Sequence, residues 1–249
     1  MSLTTVLSVN VRPDCMSTYE AQVHAIAEKA VAKKEPFEWA AHQVMAGRLG
    51  TIHFVSQAPT WSSLAAREPI EMLIRRLMGD SDGANILEQL GNCVASEQYT
   101  IAQERPDLSH PSAAVESQKP MAMVTLFRIR PGGQDMLEEY LRAAGKAIAA
   151  VKDPRRFRAY QTVVGNAGTY WVVTPLDSLA ELDAILPPGE VLQRAFGAEG
   201  TAIYRNALER LEHTERSITA LRPELSNGAW VPSFIARVAK QTSAQRTAH

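Results

Sequence analysis

The sequence repeats itself at one fixed offset, and that repeat constrains the fold more than any other feature of the chain. The run Val9, Val11, Arg12, Pro13 recurs as Phe127, Ile129, Arg130, Pro131, which puts Arg12 on Arg130 at an offset of 118. The same offset places Glu20 on Glu138, Pro36 on Pro154, Gln43 on Gln161, Gly47 on Gly165, Gly50 on Gly168 and Thr51 on Thr169. It continues through Pro69 on Pro187, Arg76 on Arg194, Gly79 on Gly197 and Leu90 on Leu208. One residue is then lost, and Arg105-Pro-Asp-Leu-Ser109 meets Arg222-Pro-Glu-Leu-Ser226. Two unrelated helices rich in Ala, Leu and Glu align by composition alone, but Gly, Pro, Gln and Thr at fixed places are turn and backbone positions. They report shared geometry. The 249 residues therefore read as two tandem modules, 1–118 and 119–228, each of ordinary domain size, with an arm at 229–249 that has no counterpart.

Within the first module, Leu7, Val9 and Val11 alternate with Ser8, Asn10 and Arg12, the period of a half-buried strand, which Pro13 ends. Ser17 and Glu20 have the spacing of a capping box, and Val23, Ile26, Ala27 and Ala30 follow at helical spacing up to Pro36. Residues 37–46 and 51–57 read as two strands joined by the tight turn Gly47-Arg-Leu-Gly50. Residues 61–78 are helical in pattern, Asp80-Ser-Asp-Gly83 is read as a break, and residues 84–94 form a second helical piece. In the second copy Ser178 and Glu181 supply a capping box. Alternating runs at 98–104 and 216–221 give each module a fourth strand. The order β-α-β-β-α-β is that of the ferredoxin-like unit, an α+β arrangement with helices on one face of an antiparallel sheet. The other face needs cover, and two fused modules packed sheet to sheet supply it internally. Residues 230–240 read as an arm or short helix.

Composition removes several classes. With 45% hydrophobic and 21% charged residues and a net charge of −1, the chain has no basic excess for nucleic acid. Only Cys15 and Cys93 are present, without metal-ligand or CxxC spacing, so neither a disulfide framework nor a zinc cluster is expected and a reducing cytoplasm suits the chain. The N-terminus lacks a basic leader with an apolar core, and no stretch approaches the ~18 apolar residues of a membrane span, so no membrane partner is expected. Nucleotide, zinc-protease and serine-hydrolase motifs are absent. The run at Asp80 opens like a calcium loop but carries Gly91 where the twelfth-position Glu belongs.

Chemistry is expected on one face of the hairpin. With Arg48 and Leu49 as the turn residues, Ala46 faces Thr51, Val44 faces His53 and His42 faces Val55, all on one side. The other side carries Trp39, Ala41, Gln43, Met45, Ile52 and Phe54, is more apolar, and is assigned to the helix-covered core. The first set, its equivalents Arg158, Tyr160, Thr162, Thr169 and Trp171, and neighbours on the first strands such as Asn10 and Arg128 then point between the sheets. Such a lining is aromatic and cationic and suits a planar or anionic small molecule. His42, His53, Asn10 and Tyr160 are the candidate catalytic residues. Arg128, Arg158, Trp171 and Trp61 are the candidate substrate-binding residues, and no metal ligand is assigned. A histidine titrating near neutrality would serve as general base. The competing reading is that these groups satisfy one another across the sheets, with the arginines reaching the rim.

In element order and duplication the chain resembles the dimeric α/β-barrel superfamily, in which two ferredoxin-like units pack sheet against sheet. The resemblance covers nearly the whole chain and implies an intramolecular α/β barrel. It extends to antibiotic-biosynthesis-monooxygenase-like members, implying an enzyme that acts on an aromatic or polyketide-like compound in an inter-sheet or helix-to-sheet cavity, with no cofactor expected. Metal-free monooxygenases of this kind use an Asn, Trp and His set; Asn10 and Trp61 are similar in placement, while no histidine stands in the stretch after Trp61. Other members bind haem iron through a helical histidine, which makes haem the alternative cofactor and His24 and His213 its candidate ligands. The alternative function is that of a non-catalytic NIPSNAP-like binding or assembly protein, a homo-oligomer formed through sheet edges or the arm around Trp230.

Overall fold

The computed structural model of the chain describes residues 2–111, 119–231 and 234–235. Among the described residues, eight strands and six helices follow one another as β1 (Leu3–Val11), α1 (Met16–Ala32), β2 (Ala40–Ala46), β3 (Thr51–Ala58), α2 (Trp61–Ala65), α3 (Ile70–Met78), α4 (Asp80–Cys93) and β4 (Val94–Glu104), then β5 (Met121–Ile129), α5 (Gln134–Val151), β6 (Arg158–Val164), β7 (Thr169–Leu176), α6 (Pro188–Glu209) and β8 (Leu211–Leu221). Strands β5, β6 and β7 start and end 118 residues after β1, β2 and β3, and β8 lies 117 residues after β4. The fold is α+β, and its strands follow the hydrogen-bonded order β1-β3-β2-β8-β5-β7-β6-β4, closed as a barrel.

Two compact units emerge, Met1–Tyr99 with Ala220–His249, and Thr100–Thr219. In the first unit β3 lies between β1 and β2, with Val9 opposite Ile52 and Ala41 opposite Phe54. Val9, Val11, Ala41 and Ile52 are buried against Tyr19 and Val23 of α1, which identifies the helix-covered face as the one that the apolar pattern marks. Ile26, Ala27 and Ala30 carry this core toward Leu73, Ile74 and Leu77 of α3. The second unit repeats the scheme, with Phe127, Ile129, Ala159 and Tyr170 under Leu137, Leu141 and Ile148 of α5.

The Arg-Pro-Asp/Glu-Leu-Ser segments explain several repeated residues. Arg105 follows β4, yet its guanidinium donates to Glu138 of α5 at 2.8 and 3.0 Å and to Gln161 of β6 at 2.7 Å. In the first unit Arg222, after β8, donates to Glu20 at 3.1 and 3.2 Å and also to Gln43. Leu108 and Leu225 are buried, and the hydroxyls of Ser109 and Ser226 accept from the backbone N–H of Ala159 and Ala41 at 3.0 and 2.9 Å. Each fourth strand thus ends in a hook made of an arginine, a leucine and a serine.

Several expectations are corrected. Glu20 is a half-buried network carboxylate rather than half of a capping box, because α1 starts at Met16 and its N-cap, Cys15, makes no side-chain cap bond. Ser178 likewise makes no side-chain cap bond, although Glu181 accepts from the Asp177 N–H at 2.8 Å. Residues 61–78 are interrupted before Ile70, whereas the Asp80 run is the first turn of α4, where its carboxylates suit the positive helix end. The break falls instead at Gly79, whose φ of 95° favours glycine. Strand β2 begins at Ala40, with Trp39 in an isolated bridge to Asn227. Of the arm, the aromatic pair Trp230 and Phe234 packs edge to face, and most of its other residues lie outside those described.

Candidate functional site

The hairpin register differs from the tight-turn expectation by two residues: His42 lies directly opposite His53, and Ala40 opposite Val55. Gly47 and Gly50, at φ 116° and 80°, make a connection longer than a two-residue turn. A slip of two residues preserves the faces, so His42, His53 and Thr51 still share the side away from the helices. Strand β1 adds Ser8 opposite His53 and Asn10 opposite Thr51 on that same side.

The histidines form the centre of this face. The Ser8 hydroxyl and His53 Nδ1 are 2.8 Å apart and share a hydrogen bond whose direction the tautomer sets. Burial, joined at His42 by the charge that His53 would carry, pushes both imidazoles down to about 4. At neutral pH each ring is therefore uncharged and keeps one nitrogen lone pair, the state of a proton acceptor. Ser8 went unnoticed in the sequence because an alternating strand marks a polar position without saying what lies across from it.

In the second unit the corresponding cross-strand pair is Tyr160 opposite Trp171. Burial, then the nearby Glu104 carboxylate, raises the Tyr160 hydroxyl to about 12, which leaves it a donor rather than a base. Trp171 Nε1 donates to the Thr162 hydroxyl at 3.0 Å. Arg158 is ion-paired with Glu104, and Arg128 lies 3.4 Å from Glu212 in a half-exposed pair. Trp61 opens α2, behind the N-cap Thr60, with half of its surface exposed. The structure thus joins His42, His53 and Asn10 on one sheet face of the first unit, and Tyr160, Trp171, Arg158 and Arg128 on strands of the second.

The haem candidates do not fit a helical iron ligand in a pocket. His213 lies on β8 rather than on a helix, 3.8 Å from Glu215. His24 is on α1 but exposed, with Nδ1 2.9 Å from the Glu224 carbonyl oxygen. Among the described residues no group of three or more His, Cys, Asp or Glu side chains is placed to hold a metal ion, and no helix is long and apolar enough to cross a membrane.

No protein-family model and no curated protein matches the chain. Solved structures do. An anthrone oxidase-like protein superposes with a TM-score of 0.57 over 89% of this chain and 91% of its own, at 14% identity. A protein provisionally described as a monooxygenase, from Lactobacillus acidophilus NCFM, gives 0.54 over 91% and 95% at 5% identity. A chlorite dismutase mutant from Candidatus Nitrospira defluvii gives 0.52 over 94% and 95% at 11% identity. At these identities the likeness is one of fold, the ferredoxin-like, dimeric α/β-barrel type.

Proposed function

We propose that this chain is a small-molecule enzyme of the monooxygenase-like kind, acting on an aromatic or polyketide-like compound, with His42 and His53 as its proton acceptors. The observation that carries the reading is the pair of facing imidazoles, kept neutral by burial on the polar side of the first unit's sheet. Fold likeness alone would not carry it, since one fold hosts many chemistries.

A methylene group flanked by aromatic rings and a conjugated ketone is acidic enough to lose a proton to a positioned imidazole. The resulting carbanion donates electrons to dioxygen without a cofactor. In the overall change the methylene becomes a carbonyl, one oxygen atom enters the product, and the other leaves as water with both hydrogens. Asn10 would orient the substrate oxygen, and Ser8 fixes the His53 ring. We read the two units as copies of one duplicated module in which this face diverged, on the strength of matching strand boundaries at an offset of 118 residues for three strands and 117 for the fourth. Two free cysteines support a reducing, cytoplasmic setting.

Oxygen uptake with planar phenolic and anthrone-type compounds tests the reading. The rate should be level from neutrality into the mildly acid range and fall as pH drops through about 4, where the imidazoles take up protons. His42→Asn and His53→Asn should each lower it by about 10²-fold or more. Wild-type rates in both variants, or no uptake with any compound, would overturn the reading and favour a NIPSNAP-like binding or assembly role.

A further inference from the structure

Cys15 and Cys93 are distant in sequence but share one corner of the first unit. The Arg12 N–H donates to the Cys93 carbonyl at 2.9 Å, and the Cys15 N–H donates to the Arg12 carbonyl at 3.0 Å. Both side chains belong to the cluster around Val11 and Tyr19, Cys93 buried and Cys15 partly exposed.

The second unit shows how close two side chains come in this frame. There the Arg130 N–H donates to the Arg210 carbonyl at 2.9 Å and the Gly133 N–H donates to the Arg130 carbonyl at 3.0 Å, the same two bonds. Gly133 stands where Cys15 stands in the repeat, and Arg210 where Cys93 stands. A Cβ placed on Gly133 would lie 2.8 Å from the Cβ of Arg210. Disulfides join Cβ atoms about 3.5–4.5 Å apart, so only a slight opening of this frame brings two cysteines to bonding geometry. The second unit relieves the crowding with glycine, while the first places a thiol at both positions.

We propose that Cys15 and Cys93 are an oxidisable thiol pair, which a hydroperoxide converts to an intramolecular disulfide that fastens the end of β1 to the junction of α4 and β4. Cys15, the more accessible thiol, attacks the terminal peroxide oxygen; the O–O bond breaks, an alcohol or water leaves, and a sulfenic acid remains. The Cys93 sulfur then attacks the Cys15 sulfur, the S–O bond breaks, water leaves with the thiol proton, and the S–S bond forms. Two thiols are oxidised and one peroxide is reduced. Burial first, and the adjacent Cys15 thiol second, hold the Cys93 thiol above its usual range, which suits a resolving rather than an initiating role.

Hydrogen peroxide treatment of the full chain, followed by peptide mapping without reductant, tests this. The expected result is a chain two hydrogen masses lighter, a Cys15–Cys93 linked peptide, and reversal by dithiothreitol. Cys93→Ser should instead let Cys15 proceed to sulfinic acid. If Cys15 in the wild type also proceeds to sulfinic acid, or both thiols stay open to alkylation after peroxide, the pair is not coupled and the proposal fails. The wild-type map decides the matter whether or not a serine variant folds.

Discussion

Glu138 accepts five hydrogen bonds from four side chains: two from Arg105, one each from Gln134 and Arg142, and one from the Tyr170 hydroxyl at 2.8 Å. A buried carboxylate so surrounded is favoured in its charged form, and the Arg105 bonds, ahead of those from Tyr170 and Gln134, lower it to about 2. The stability it contributes is complete above the unfolded glutamate value of about 4.3 and is lost as pH falls through about 2. Glu138→Gln should cost about 3 kcal/mol near neutrality, because it leaves Arg105 short of its buried partner. It should also flatten the acid limb of a stability curve followed by chemical denaturation. An unchanged acid limb would show that the network is not intact. The sequence marks Glu20 and Glu138 as repeated positions, but the spacing of Glu20 from Ser17 suggested a cap. Their true partners, Arg222 and Arg105, lie 202 and 33 residues away, beyond any local pattern.

Elements that bury one face were legible and elements that bury neither were not. Leu7, Val9 and Val11 announce β1, whereas the first halves of β4 and β8 are exposed on both faces and carry no alternation, which is why His213 passed for helical. The face assignment of the hairpin survived a register error because the error was an even number of residues. Gly79 and Gly197, one repeat apart, locate the break between α3 and α4 and the kink inside α6, at φ 95° and 60°. Their ψ values of 154° and −131° complete backbone states that L-residues avoid. No neighbouring atom would meet a Cβ at either position, so alanine there suffers from backbone strain and not from crowding. Gly79→Ala and Gly197→Ala should each destabilise by about 1–3 kcal/mol in thermal or urea unfolding. A stabilised variant, as expected for alanine in an ordinary helix, would contradict the broken geometry.

Across the whole molecule, one strand scheme occurs twice with the same boundaries, and the hooks after β4 and β8 hold equivalent places in the two units. The two units share the glycine turns, the glutamine–glutamate–arginine networks and the buried leucines. They part at the polar sheet face, where the first carries His42 opposite His53 and the second Tyr160 opposite Trp171. The offset pattern marks this division in the sequence, since it separates matched positions from unmatched ones. The chemistry of the face was less legible, because protonation state depends on burial, which a sequence does not display. We assign the proton transfer to the first unit's histidine pair, on a strand scheme that both units share. The most direct measurement gives the first unit the second unit's pair, His42→Tyr with His53→Trp, and follows oxygen uptake with the compound that the wild type turns over. The double variant should fold, by circular dichroism and cooperative melting, while its uptake falls to the uncatalysed level. A folded double variant that keeps the wild-type rate would contradict it.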